Sequence, residues 1–183
     1  KRAIFQELLQ AHPGDFSADA LKSALSQHTR SSRYLSVVSQ GMQRHDLQGR
    51  PVEAMAPEHV HHALLEVFRR RQGRSPEDLT PTLRRRMLQA FESSGLAPEA
   101  YAALVRNRDD AHNQLLDEVL SEARAGAARD EALLRAFDAG SHSVEAFADM
   151  YGMDGRTAAL ALERARRARA VAVAAATAVM QPV

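Results

Sequence analysis

The chain has 183 residues, 45% hydrophobic and 26% charged, which fits one or two packed globular domains. It has no cysteine, so disulfides and thiolate chemistry are excluded and a cytoplasmic setting is expected. The net charge of +1 conceals a split: residues 1–74 carry 11 Lys/Arg against 7 Asp/Glu, and residues 75–183 carry 13 against 16.

No apolar run approaches the ~18 residues of a membrane-spanning helix, so no membrane partner is expected. The Ala/Val-rich stretch 168–179 is too short for that, and it lies at the wrong end for a signal peptide. Aromatics at 5% and the absence of Trp favour helices over a β-sandwich.

In chain order, a helix is predicted over Lys1–Ala11, closed by His12-Pro13-Gly14. A second starts at Ser17 or Asp19 and runs to about Gln27, with Leu21, Ala24 and Leu25 as its buried face. A third spans Arg30 to Ser39, burying Tyr34, Leu35 and Val38, and ends near Gly41. The segments 43–47 and 51–54 flank Gln48-Gly49 and predict a small hairpin. Pro57 opens a helix through His59, His62, Leu65 and Phe68 to about Arg71, where Arg69, Arg70 and Arg71 complement the helix dipole, a solvated helix end being favoured over contact with phosphates.

Between the second and third helices stands His28-Thr29-Arg30-Ser31-Ser32. Such a hydroxyl cluster caps the following helix and can leave backbone N–H groups facing an anion, to which Arg33 adds a fork of donors. An ordinary N-cap with a solvated arginine has the same spacing.

The residue identities go further. Leu21-x-Ser23-Ala24-Leu25, Thr29-x-Ser31-x-Arg33-Tyr34-Leu35 and Gly41-x-x-Arg44-x-Asp46-Leu47-x-Gly49-x-Pro51 follow one another without gaps. Ile4-Phe5-Gln6-Glu7-Leu8 precedes them and Glu58-His59-Val60-x-His62-Ala63 follows. This pattern resembles the ProQ/FinO family of bacterial RNA chaperones over about residues 1–72. The resemblance implies a mainly α domain with a short β-hairpin, binding structured RNA at the base of a terminator hairpin with a single-stranded 3′ tail. It implies a pocket for the RNA end at His28, Thr29, Ser31 and Arg33, with Tyr34 beside it, and a basic face at Lys1, Lys22 and Arg44.

The chain departs from the family pattern at His28, usually tyrosine, at Ser26, often basic, at Ser32, often aromatic, and at Glu53, often glycine. Because the family domain has a segment upstream of the first match, the front of this domain is expected to lie outside the sequence. The implied partners are small RNAs and mRNA 3′ ends, and the implied role is post-transcriptional regulation.

After Gln72-Gly73-Arg74-Ser75-Pro76 the character changes. The expected organisation is an RNA-binding domain over 1–72, a linker at 73–76, an all-α domain over 77–170 and a tail over 171–183. Within the all-α part, 87–92 (MLQAFE) aligns with 133–138 (LLRAFD), and 99–102 (EAYA) with 145–148 (EAFA), at an offset of 46 positions. Two helical repeats that stack along their apolar faces are expected. Ala148-x-x-x-Gly152-x-Asp154-x-x-Thr157-Ala158 also has helix-turn-helix spacing, but only Arg156 stands near the start of the second helix, where base-edge donors are needed. A structural three-helix unit is favoured over a DNA reader. Residues 77–170 are expected to hold a protein partner or a second copy.

His59 and His62 share a helix face at i, i+3 with no third ligand at metal-site spacing, so no metal is expected. There is no Gly-rich phosphate loop or nucleophile elbow, and pairs such as Asp109-Asp110 read as helix caps. No catalytic residue and no cofactor are expected. The competing reading is a protein- or DNA-binding adaptor that works through the C-terminal half.

Overall fold

The computed structural model describes residues 4–140 and 142–179, with side chains described to residue 173. The architecture is mainly α. Among the described residues there are nine helices and one two-stranded antiparallel sheet. The contacts divide the chain into two compact units, residues 1–120 and 121–183.

The first unit opens with α1 (Ile4–Ala11) and α2 (Ala18–Thr29). Ser17 caps α2, its Oγ accepting the Ala20 N–H at 3.2 Å. Ser31 does the same for α3 (Ser32–Val38), accepting from Tyr34 N at 3.2 Å, so the helix begins later than the apolar pattern suggests. In α2 Leu21 is buried and Leu25 partly so, whereas Ala24 is exposed, which narrows the expected apolar face. The hairpin follows as β1 (Arg44–His45) and β2 (Pro51–Glu53), with Arg44 opposite Glu53 and His45 opposite Pro51. Its turn is fixed by the Asp46 carboxylate, which accepts the backbone N–H of Gln48 and of Arg50, each at 2.9 Å. Gly49, at φ +76°, supplies the left-handed residue.

The helix α4 (Pro57–Gln72) starts with proline in its first turn and holds the unit together through two apolar faces. On one face Ala63 packs with Leu35 and Val38 of α3, flanked by Tyr34, Met55 and Val67. On the other, Leu64 and Leu65 join a larger core. That core includes Leu83 and Met87 of α5 (Thr80–Ser94) and Tyr101, Ala102 and Val105 of α6 (Pro98–Val105). Leu116, Val119 and Leu120 from the start of α7 (Asp110–Ala139) complete it. Each fully buried Leu or Met in it contributes roughly 1.5–3 kcal/mol.

The division of the chain therefore differs from a linker at 73–76. Gln72 binds across the turn with both ends of its amide: Nε2 donates to Glu77 O at 2.9 Å, and Oε1 accepts from Leu79 N at 2.8 Å. The Gly-Arg-Ser-Pro composition marks a tight connection between packed helices, because the Leu64/Leu65 face of α4 has to be covered.

The second unit contains the later part of α7, then α8 (Val144–Met150) and α9 (Gly155–Val179) around Leu134, Leu162 and Ala165. Ser143 caps α8 through Ala146 N at 3.2 Å. Asp154 receives the Thr157 N–H at 2.9 Å at the start of α9. Gly152, at φ +63°, takes the turn between them.

The offset of 46 is structural. It carries Phe91 and Tyr101, an edge-to-face pair 5.4 Å apart, onto Phe137 and Phe147, an edge-to-face pair 5.3 Å apart. It also maps buried Ala102, Leu116 and Val119 onto buried Ala148, Leu162 and Ala165.

Candidate nucleic-acid interface

The connection between α2 and α3 is where the hydroxyls and basic groups gather. Thr29 Oγ1 donates back to Leu25 O at 2.9 Å, and Ser31 Oγ is occupied by the α3 cap, so both serve the turn itself. Arg33 and Lys22 are exposed, and Lys1 lies outside the described residues. The His28 ring stands edge-on to Tyr34, with centroids 5.2 Å apart.

The concavity lies on the inner side of this turn, where α2, α3 and α4 and the hairpin meet. It has a volume of about 450 Å³. Its floor is apolar, made by Leu35, Val38, Met55 and Ala63, and Tyr34 stands in its wall. Around the floor are Arg30, Arg44, Arg70, His59 and His62, with Glu66 the carboxylate among them.

Of the residues expected from sequence, Thr29, Tyr34 and Arg44 line this cavity and His28 backs Tyr34. Ser31, Arg33 and Lys22 are not among its lining residues. Arg30, His59, His62 and Arg70 also line it. The signal was present: positions 59, 62, 66 and 70 recur at three and four, which is one polar stripe along α4. The i, i+3 spacing of 59 and 62 and the basic run 69–71 at the helix end overlap this stripe.

The guanidinium groups are pre-positioned. Arg44 Nη2 donates to His59 Nδ1 at 3.1 Å, which places the ring proton of a neutral His59 on Nε2. Arg44 Nε lies 3.3 Å from Glu53 Oε1, across the hairpin. That carboxylate oxygen is buried and makes no aligned hydrogen bond, so the ion pair is its compensation. Arg70 Nη1 donates to Arg30 O at 2.9 Å and to Ser32 Oγ at 3.0 Å, tying α4 to the α2–α3 connection. Arg30 reaches Ser26 O through Nε at 3.2 Å. Planar forks of N–H donors suit phosphate oxygens, and an aromatic wall above an apolar floor suits a stacked base.

A third histidine of α4 is buried. His61, between the two exposed ones, is 1% exposed. It shares a hydrogen bond with Tyr101 Oη through Nδ1 at 3.0 Å and another with His112 Nε2 through its own Nε2 at 2.8 Å. Burial, followed by the neighbouring His112 and His62, lowers its pKa from 6.5 to about 4, and burial lowers that of His112 as well. Two imidazolium rings cannot face each other at this distance, so the cluster holds at least one neutral ring and serves the core.

This is a small mainly α domain with a hairpin, carrying a donor-rich cavity with an aromatic wall. Residues 1–80 match the model of the ProQ/FINO family. The chain is similar to the RNA chaperone ProQ of Aeromonas salmonicida (strain A449). The two are 43% identical over 65 residues, 34% of this chain and 31% of that protein. The same figures describe its similarity to the RNA chaperone ProQ of Aeromonas hydrophila subsp. hydrophila. The chain thus spans about a third of the length of these curated relatives. No solved structure matches it significantly.

Proposed function

We propose that the chain is an RNA chaperone and post-transcriptional regulator. It binds small RNAs and mRNA 3′ ends that fold as terminator-type hairpins with a single-stranded tail. The observation that carries this reading is the cavity within the family-matched segment, where Arg30, Arg44 and Arg70 surround Tyr34. The relatives named RNA chaperones support it. So does the charge split, which gives residues 1–74 a positive balance.

In this mechanism the terminal nucleotide stacks on Tyr34, backed by His28, while Arg44 and Arg30 take the terminal phosphates near Thr29. Lys22 and Arg33, exposed on the outside of α2 and α3, meet the backbone of the adjoining stem, together with Lys1 and the turn at Ser31. Binding alone protects the RNA end, so no catalytic step is needed, and the setting is the cytoplasm.

The adaptor alternative is not favoured, because Arg164, Arg166 and Arg169, in the basic cluster of α9, are engaged within the second unit. Arg164 is paired with Asp130 at 2.7 Å, and Arg169 with Asp138 at 3.0 Å and Glu131 at 3.1 Å. Arg166 lies over the Phe137 ring at 5.4 Å.

The test is a gel-shift titration of the full chain against three nucleic acids: a terminator hairpin with a free 3′ tail, the same hairpin with its 3′ end blocked, and a duplex DNA. The free-tail hairpin should bind tightest and the blocked one distinctly more weakly. Equal affinity for all three would defeat the reading.

A further inference from the structure

Beyond the cavity, α4 continues into a basic tract that neither the family match nor the sequence pattern assigns. Arg70 lies at the rim of the cavity and also lines a groove of about 510 Å³ on the outer side of α3. This groove contains Ser32, Ser36, Arg71 and Arg74. It shares Ser36, Val67, Arg71 and Leu79 with a further groove of about 350 Å³ between α3, α4 and α5. There Arg85 and Arg86 join the wall.

No carboxylate lines either groove, although Glu77 and Asp78 stand on the turn just past Pro76. Arg86 is committed to structure, donating to Ser39 O at 2.9 Å and so holding α5 against the end of α3. Arg71, Arg74 and Arg85 are exposed, and no carboxylate lies within ion-pair distance of them among the described residues. Holding three guanidinium groups beside one another in this way raises the local potential, a cost that a bound polyanion offsets.

We propose that these two grooves are a second RNA track, in which Arg71, Arg74 and Arg85 bind the sugar–phosphate backbone of a single-stranded stretch of the RNA held in the Tyr34 cavity. The inference rests on the proposed function and extends its footprint onto α5, where Arg85 and Arg86 lie past residue 80, the end of the family match. The occupant follows from charge. The grooves run along α3, α4 and the turn into α5, and their hydroxyls and guanidinium forks match phosphate oxygens. Arg70 makes them continuous with the cavity.

The experiment uses the full chain and two hairpins, one whose tail fills the cavity only and one whose tail is several nucleotides longer. Affinity is measured across a salt series. Wild type should bind the longer tail about 10-fold tighter, with a steeper salt dependence. The variant R71Q/R74Q/R85Q should lose that advantage, together with about 0.7 of the log–log salt slope per lost phosphate contact, and should bind the short-tailed hairpin as wild type does. R71K/R74K/R85K should keep most of the advantage, since the charges remain. Retention of the full long-tail advantage by the glutamine variant, or its absence in wild type, would overturn the track and leave the cavity reading intact. Failure of wild type to bind either hairpin would overturn both.

Discussion

Arg44 is gripped from two sides, by His59 on α4 and by Glu53 across the hairpin, and that grip makes it the most exacting test of the cavity. Arg44→Ala should weaken hairpin binding by about 1.5–3 kcal/mol, the range for a charge-assisted hydrogen bond, and should abolish sensitivity to blocking of the 3′ end. Titration of blocked and free hairpins checks this; a variant that still discriminates between them would place end recognition elsewhere. The family pattern singled out Arg44 because it sits in a fixed-spacing motif. It could not show that Arg30 and Arg70 converge on the same cavity, since 40 positions separate them and their meeting depends on how α3 packs against α4. His61 makes the same point for the core. In sequence it is one of three histidines, and only the packing of α6 and α7 against α4 makes it the buried one. Its lowered pKa has a signed consequence. Between pH 6.5 and 4 the unfolded chain binds a proton that the folded one refuses. Stability from this residue is therefore complete above about pH 6.5 and falls as pH drops towards 4, by at most about 3 kcal/mol. Urea midpoints measured from pH 7.5 to 5 should fall accordingly, and H61L/H112L should flatten the slope. An unchanged slope in that variant would assign the effect to the other six histidines.

At the level of elements, the chain used one three-helix plan twice, and the repeat was readable because its anchors are large. Phe91 with Tyr101 and Phe137 with Phe147 are the same edge-to-face contact, and aromatic residues are scarce enough here for the coincidence to stand out. The helix bounds were readable from Ser17 and Pro57, whose chemistry acts locally. The role of the Gln72–Pro76 segment was not, since a tight turn between packed helices and a free linker draw on the same residue types. Phe147 is 1% exposed, so Phe147→Ala should cost the second unit about 3–5 kcal/mol. Thermal melts followed by circular dichroism should show an early helical transition in this variant, while hairpin affinity stays at the wild-type level. A loss of RNA binding in step with the early transition would mean that the second unit takes part in recognition.

For the molecule as a whole, the compact unit that contains the cavity ends at Leu120, well past the family match. Residues 1–120 expressed alone should bind the hairpin within about 3-fold of the full chain, because the basic residues of both cavity and track lie within them. Residues 1–74 should not fold cooperatively, since Leu64, Leu65 and Phe68 would face water. Residues 121–183 should give no shift at moderate salt. Calorimetry and gel shifts on the three fragments decide this, and tight RNA binding by 121–183 would reverse the assignment. Composition put the positive balance on the end of the chain that holds the cavity. It could not reveal that eight of the ten buried residues in the core behind α4 are contributed by α5, α6 and α7.

The two faces of α4 carry a consequence for dynamics. One face floors the cavity through Ala63, and the other is locked into the core around Tyr101 and Leu116. A ligand that favours the closed arrangement of the first face therefore protects the second from opening, although it touches nothing there. Amide hydrogens of α6 and the start of α7 should exchange more slowly when the hairpin is bound, by up to about 2.7 kcal/mol of added protection at a hundredfold excess over Kd. Those of α8 and α9 should keep their rates. The family motif would thus report its occupancy through helices that the motif itself does not include.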